Sequence, residues 1–267
     1  MARIGLVAGY GGLPVVFSKI AKEKGDSVVA FGLRGVTDEE LSKYVEKVHW
    51  LEWGAFHKAL LLLAAERLKK IIMLGKIRKD IFFKGDEKLD DKAKELLAKV
   101  RDRKDYSILN EVTKVLAKFG VEVVDPIEYL KGLIPSKGVF TKRNPTESEW
   151  RDINYGMDVA REIARLDIGQ TVVVKDKTVI ALEAVEGTDE TISRAGTLCK
   201  DGFTVVKSAR PNQDMRLDVP LVGLKTLDRI IESNGRVLAL EAGKTFLMDK
   251  EEMIKLADEK DISVVVV

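Results

Sequence analysis

Cysteine is almost absent from this chain: Cys199 stands alone, so no intramolecular disulfide can form. With only two histidines, His49 and His57, there is no thiolate–imidazole cluster for structural zinc either. Neither sign of charge is in excess. The 45 Lys and Arg against 43 Asp and Glu leave a formal net charge of +2, which argues against a general nucleic-acid binder and leaves any bound anion to a local site. No apolar run approaches the ~18 residues needed to span a bilayer, and the first residues lack the basic segment, apolar core and small-residue cleavage site of a signal peptide. The expected location is cytoplasmic. What is present is 45% hydrophobic content over 267 residues, ample for one large domain or two ordinary ones.

Arg3 to Ala8 reads as a short strand, followed by Gly9, Gly11, Gly12 and Pro14 and then by a helical stretch from Val15 to Lys24. Ser27 to Gly32, Lys70 to Leu74 and Val121 to Val124 repeat the strand pattern, with amphipathic stretches such as Phe56 to Leu68 between them. That alternation predicts a parallel α/β sheet. Lys84 to Lys104 carries dense mixed charge and reads as a solvated helical excursion, with an anion-binding arm as the alternative. The densest run of breakers follows Asp125, where Pro126, Gly132, Pro135, Gly138 and Pro145 fall close together. A domain boundary is placed there, giving an N-terminal domain over 1–132 and a C-terminal domain over 133–267.

Asn144-Pro145-Thr146-Glu147 offers a helix entry, and the periodicity through Ile153, Met157, Ala160 and Ile163 predicts a helix of about five turns. Gln170 to Val174 and Lys177 to Val185 flank Lys175-Asp176 as a β-hairpin. Phe203 to Lys207, Val237 to Glu241, Thr245 to Met248 and Ile262 to Val267 supply further strands, with a helix from Lys250 to Glu259. The fold class expected is α/β in two domains: an N-terminal Rossmann-like parallel sheet and a C-terminal mixed α+β domain.

AGYGG alone lacks the G-x-G-x-x-G spacing of a dinucleotide site, and no acidic residue ends the second strand. The ensemble is more specific. VAGYGGLP at the start, GKIR (Gly75 to Arg78), LDIGQ (Leu166 to Gln170), EAVEGTD (ending at Asp189) and QDMRLDVPLVGLKT (from Gln213) occur in order along essentially the whole chain. Together they resemble the LpxI family. The resemblance implies a hydrolase that splits the pyrophosphate of UDP-2,3-diacylglucosamine into 2,3-diacylglucosamine 1-phosphate (lipid X) and UMP in lipid A biosynthesis. It also implies dependence on magnesium and two domains that close on the lipid product. The partners implied are the UDP-linked diacylated sugar and its lipid product; peripheral contact with the inner membrane and a homodimer are left open. The chain departs from the family pattern at Lys104-Asp105-Tyr106-Ser107-Ile108-Leu109.

Such a reaction needs a positioned water, a base or metal to activate it, and cations on the phosphate oxygens. With the family in view, the C-terminal domain is expected to carry the catalytic carboxylates. If Asp214 to Asp218 is extended, Asp214, Arg216 and Asp218 share one face at intervals of about 6.7 Å. Asp214 and Asp218 are the candidate catalytic residues and metal ligands, with a structural ion pair at a strand end as the bland alternative. Glu183, on an otherwise apolar strand face, must find a partner, either a metal or a cation. Glu186 and Asp189 are further candidate ligands, and Gly187 and Thr188 complete a phosphate or metal loop that could equally be an ordinary helix entry. Arg194, Lys207, Gln213 and Arg216 are candidate substrate contacts. So are Gly9, Gly11, Gly12, Lys76 and Arg78 in the first domain, where backbone amides at a helix start approach anions. Cys199 has no evident base beside it and is left out of the mechanism. A non-catalytic lipid or nucleotide carrier or sensor, and a hydrolase of another nucleotide-diphosphate-linked substrate, are the competing functions.

Overall fold

The computed structural model describes residues 1–76, 89–100, 105–211 and 213–267. Arg78 and the ends of the Lys84 to Lys104 excursion lie outside the described residues. Contacts divide the chain into two compact units, Met1–Lys131 with Asp214–Asp218, and Gly132–Gln213 with Val219–Val267.

The first unit is built on β1 (Arg3–Ala8), β2 (Ser27–Leu33), β3 (Lys47–Leu51), β4 (Lys70–Leu74) and β5 (Glu122–Val123), in the order β3-β2-β1-β4-β5. The pairings are all parallel. This is the strand order of a doubly wound nucleotide-binding sheet, whose switch point lies between β1 and β4. Helices α1 (Leu13–Glu23), α2 (Phe56–Ala65), α3 (Asp91–Ala98), α4 (Asp105–Lys118) and α5 (Ile127–Leu130) connect or flank the strands. Gly5 shows how closely neighbouring strands pack: a Cβ there would lie 2.6 Å from Cγ2 of Ile71, its register partner on β4. Leu60 and Leu63 of α2 and Leu116 of α4 pack with Val29, Phe31 and Ile71, and Leu217 joins this same core. β3 was not expected from the sequence. It is an edge strand, only partly buried except at Leu51, and its alternation is masked by His49 and Trp50.

The second unit contains β6 (Gly138–Val139), β7 (Thr171–Lys175), β8 (Thr178–Leu182), β9 (Thr204–Lys207), β11 (Val237–Leu240) and β13 (Ser263–Val266) in the order β6-β13-β11-β9-β7-β8. A small parallel pair, β10 (Leu221–Val222) with β12 (Phe246–Leu247), stands apart. β9, β11 and β13 are parallel, whereas β6, β7 and β8 pair antiparallel, so the sheet is mixed as expected. Helix α6 (Glu147–Arg165) begins with a capping box between Thr146 and Glu149. It covers one face through Ile153, Met157, Ala160 and Ile163. Helices α7 (Thr188–Leu198), α8 (Leu224–Glu232) and α9 (Lys250–Glu259) cover the other, around Ile192, Leu227, Ile230 and Met253. Among the described residues no helix is long and apolar enough to cross a membrane.

Candidate functional site

In the first unit, the turns after β1 and β4 are bound to one another. Gly9 N donates to Leu74 O (2.8 Å), and Tyr10 and Lys76 exchange backbone bonds of 2.8 and 2.9 Å. A Cβ on Gly9 would lie 2.7 Å from Lys76 O, and one on Gly75 (φ +90) 2.8 Å from Gly9 C. Both glycines are therefore required by close backbone approach. Gly11 (φ +105) has open space around it, and Gly12 is the N-cap of α1. Pro14 has no N–H and Val15 N is bonded to Gly12 O (3.0 Å), so the amides left to meet an anion here are those of Gly11, Gly12 and Leu13. This places Gly11 and Gly12 at the switch point, with Lys76 on the adjoining turn.

In the second unit, β7 runs opposite to β9, so the start of β7 and the ends of β8, β9 and β11 lie along one edge. A polar chain occupies that edge. Lys207, 6% exposed, donates to the hydroxyls of Thr188 (2.8 Å) and Thr171 (3.3 Å). Thr188 donates to Glu183 (3.1 Å), and Glu183 also accepts from Gln170 N (3.2 Å). Thr188 and the Gln170 amide are thus hydrogen-bond partners of Glu183. The LDIGQ stretch is held against it because a Cβ on Gly169 would sit 2.1 Å from Glu183 O. Asp167, in the left-handed region (φ 58), pairs with Arg210 at 2.7 Å. The backbone N of Arg210 in turn donates to the Gln213 side chain (3.1 Å).

Glu186-Gly187-Thr188-Asp189 forms the entry to α7, with Gly187 (φ 87) as N-cap. Glu186 accepts from Arg194 (2.7 Å) and from Ala184 N (3.1 Å). Burial works against its charged form, but these bonds outweigh burial and hold its carboxyl below the usual range. Arg194 also caps Leu182 O (2.9 Å), and Asp189 pairs with Lys225 (3.0 Å).

The extended row predicted for Asp214–Asp218 does not form. The segment is a helical turn in which Asp214 O accepts from Leu217 N (2.9 Å) and Asp218 N (3.0 Å). The Asp214 carboxylate accepts from Arg216 N (3.1 Å), an Asx-type bond that competes with extension. The Arg216 guanidinium closes on both Asp214 oxygens (2.9 and 2.7 Å). That bidentate contact holds the Asp214 carboxyl below its ordinary range, against a smaller opposing effect of burial. The two aspartates thus stand four residues apart on one turn, which groups with the first unit rather than the second. Among the described residues no three His, Cys, Asp or Glu side chains converge as a metal cage. Two carboxylates on one turn suit magnesium, which takes most of its ligands from water and phosphate oxygens.

Sequence reasoning passed over Glu241, 5% exposed at the end of β11, which accepts from Arg161 (3.0 Å), Lys244 (3.1 Å) and Ala209 N (3.2 Å). The legible signal was an acidic residue closing the otherwise apolar strand VLAL.

Comparison with known proteins bears on the whole chain. The family models described as the LpxI N-terminal domain and the LpxI C-terminal domain match residues 3–133 and 136–265. The UDP-2,3-diacylglucosamine pyrophosphatase LpxI of Caulobacter vibrioides is 30% identical over 269 residues, covering 97% of this chain and 95% of that protein. Among solved structures, the biotin carboxylase of Campylobacter jejuni is similar over 73% of this chain and 41% of its own, at 10% identity and a TM-score of 0.29. A biotin carboxylase subunit of pyruvate carboxylase matches 70% of this chain and 39% of its own, at 14% identity and a TM-score of 0.24. Likeness at that level carries no argument, whereas the two family models together span nearly every residue: the chain belongs to the LpxI family.

Proposed function

We propose that this protein hydrolyses the pyrophosphate of UDP-2,3-diacylglucosamine, releasing UMP and 2,3-diacylglucosamine 1-phosphate in lipid A biosynthesis. The observation that carries this reading is the end-to-end match to a relative named for that pyrophosphatase activity. In the reaction, a water oxygen bonds to the phosphorus nearer the sugar, the bond from that phosphorus to the bridging oxygen breaks, and the bridging oxygen leaves with UMP. The proton lost by the water needs a carboxylate. Asp214 and Asp218, four residues apart on one turn, are the proposed candidates for that role. Asp214, with Asp218, would hold magnesium, which when bound offsets the charge developing on the phosphate oxygens. Within the first unit the amides of Gly11 and Gly12, with Lys76 and Arg216, are proposed phosphate contacts, and within the second unit Thr188, Lys207 and Gln213 are.

The test is release of UMP from UDP-2,3-diacylglucosamine with magnesium. Asp218→Asn is expected to lower kcat on the order of 10²–10⁴-fold, the usual worth of a general base. Asp214→Ala should lose activity and require more magnesium. Full activity in both variants would remove these aspartates from the chemistry, and no UMP from wild type would remove the reaction itself.

A further inference from the structure

The proposed chemistry gives no part to Glu241, the buried acid that follows β11 at the carboxyl edge of the second sheet. Its backbone N donates to Lys207 O (3.0 Å), the last rung between β11 and β9. Past that rung the ladder ends, and the next three amides of the chain leaving β9 each find an acceptor of a different kind. Ser208 N donates to Gln170 O (2.9 Å), Ala209 N to one carboxylate oxygen of Glu241 (3.2 Å), and Arg210 N to the Gln213 side chain (3.1 Å). The side chain of Glu241 thus stands where a further strand carbonyl would have been. Ser208 and Ala209 are buried, so an amide that loses its acceptor there is not simply handed to water. The other oxygen of Glu241 accepts from Arg161 of α6 (3.0 Å) and from Lys244 (3.1 Å). Burial works against the charge, but the bonds from Ala209 N, Lys244 and Arg161 outweigh it and hold the carboxyl below its usual range. Downstream, Gln213 N donates back to Arg210 O (3.2 Å), and Asp167 holds the Arg210 guanidinium at 2.7 Å. Arg210 and Gln213 are therefore bonded to each other twice, and the placement of both follows from that of Ala209.

We infer that Glu241 is a positioning residue for the hydrolysis: through the Ala209 amide it sets how the chain leaves β9 and so places Gln213 for phosphate, an inference that rests on the proposed function. The carboxylate itself does not meet the substrate. A carboxylate is required because it accepts on two sides at once, from a neutral amide and from two cations. A carboxamide of the same shape accepts on one side only and turns its NH2 toward donors on the other. Glu241→Gln therefore either releases Ala209 N or sets its own donors against Arg161 and Lys244, and in both cases the exit from β9 loosens.

The experiment pairs amide exchange with turnover in the intact protein. Without substrate, Glu241→Gln should speed exchange at Ala209 and Arg210 by about tenfold, the worth of one hydrogen bond, and leave β7 and β11 as protected as in wild type. Toward UDP-2,3-diacylglucosamine the same variant, counted per folded molecule, should lose about ten- to hundredfold in kcat/KM, the scale of a small misplacement of a substrate contact. A double-mutant cycle separates positioning from mere support. If Glu241 acts through Gln213, the double variant is no slower than Gln213→Ala alone, whereas an independent structural loss adds to it. Arg161→Met removes an ion pair from Glu241 but spares the Ala209 bond, and should turn over as wild type does. Should Glu241→Gln fail to fold, Glu241→Asp, one methylene shorter and still charged, carries the same readings. Unchanged exchange at Ala209, additive losses in the cycle, or an equal loss in Arg161→Met would each overturn the assignment. Because exchange is read without turnover, faster exchange at Ala209 in a protein that releases no UMP would overturn the proposed reaction and leave the hold of Glu241 on the β9 exit standing.

Discussion

Glu66 lies at the amino-terminal edge of the first sheet, where Arg3, Lys47 and His49 each approach it to 2.7 Å. Hydrogen bonds from Lys47, Arg3 and His49, in that order of influence, hold its carboxyl at about 2, far below the ordinary 4.5. Glu46, bonded to Arg3 and Ser27, is lowered as well. A depressed folded-state value means the stabilisation is fully present above the unfolded value near 4.5 and is lost as pH falls through the folded one. Wild type should therefore lose stability between about pH 5 and pH 2. Glu66→Gln should start lower at neutral pH and change less across that window, which urea midpoints measured along a pH series will show. A parallel decline in both proteins would assign the acid sensitivity elsewhere. Gly169 makes a different point at the same scale: the backbone oxygen that a Cβ would strike belongs to Glu183, so this glycine is demanded by the polar edge and not by a turn.

The β7–β8 hairpin was legible because alternating apolar residues flank a two-residue polar gap. The turn itself is shifted by one residue, with Asp176 (φ 49) and Lys177 (φ 58) both left-handed, as a primed turn requires. What the pattern did not disclose is the buried Asp152 of α6, whose carboxylate accepts from Asp176 N (3.0 Å) and Lys177 N (2.7 Å). Asp152→Ala strands those two amides and should destabilise the protein by about 1–3 kcal/mol, measured by chemical denaturation. A neutral result would mean the turn holds its form without the helix. The contacts that escape the sequence are of this tertiary kind. Lys207 and Thr188 could be named as polar residues near strand ends, but only the antiparallel placement of β7 brings Thr171 between them. Likewise, QDMRLD alternates as a strand would, and a bond donated by Arg216 N back to the Asp214 carboxylate turns it into a helical turn. Local alternation carries no information about such a competitor.

For the molecule as a whole, the two-part composition break near Asp125 was visible, whereas the return of Asp214–Asp218 to the first unit was not. An apolar anchor of that return is Leu217, 8% exposed within the core formed by α2, α4 and the parallel sheet. Leu217→Ala should cost the first unit about 2–5 kcal/mol. Hydrogen exchange should accelerate at β1, β2 and β4 and leave β9 and β11 unchanged; equal acceleration in both units would show that they unfold as one. The proposed catalytic aspartates flank this leucine, so the variant also asks whether the turn keeps its form once its anchor is removed.

This discontinuity has a consequence for synthesis. A chain emerging from the ribosome usually folds its leading domain before the next is made. Here the leading unit lacks Leu217 until most of the second unit has also been translated, so the turn bearing Asp214 and Asp218 is the last piece added to it. A nascent or truncated chain that builds the parallel sheet before residue 214 still lacks the proposed catalytic carboxylates, which would make competence for the reaction a late event in the life of each molecule.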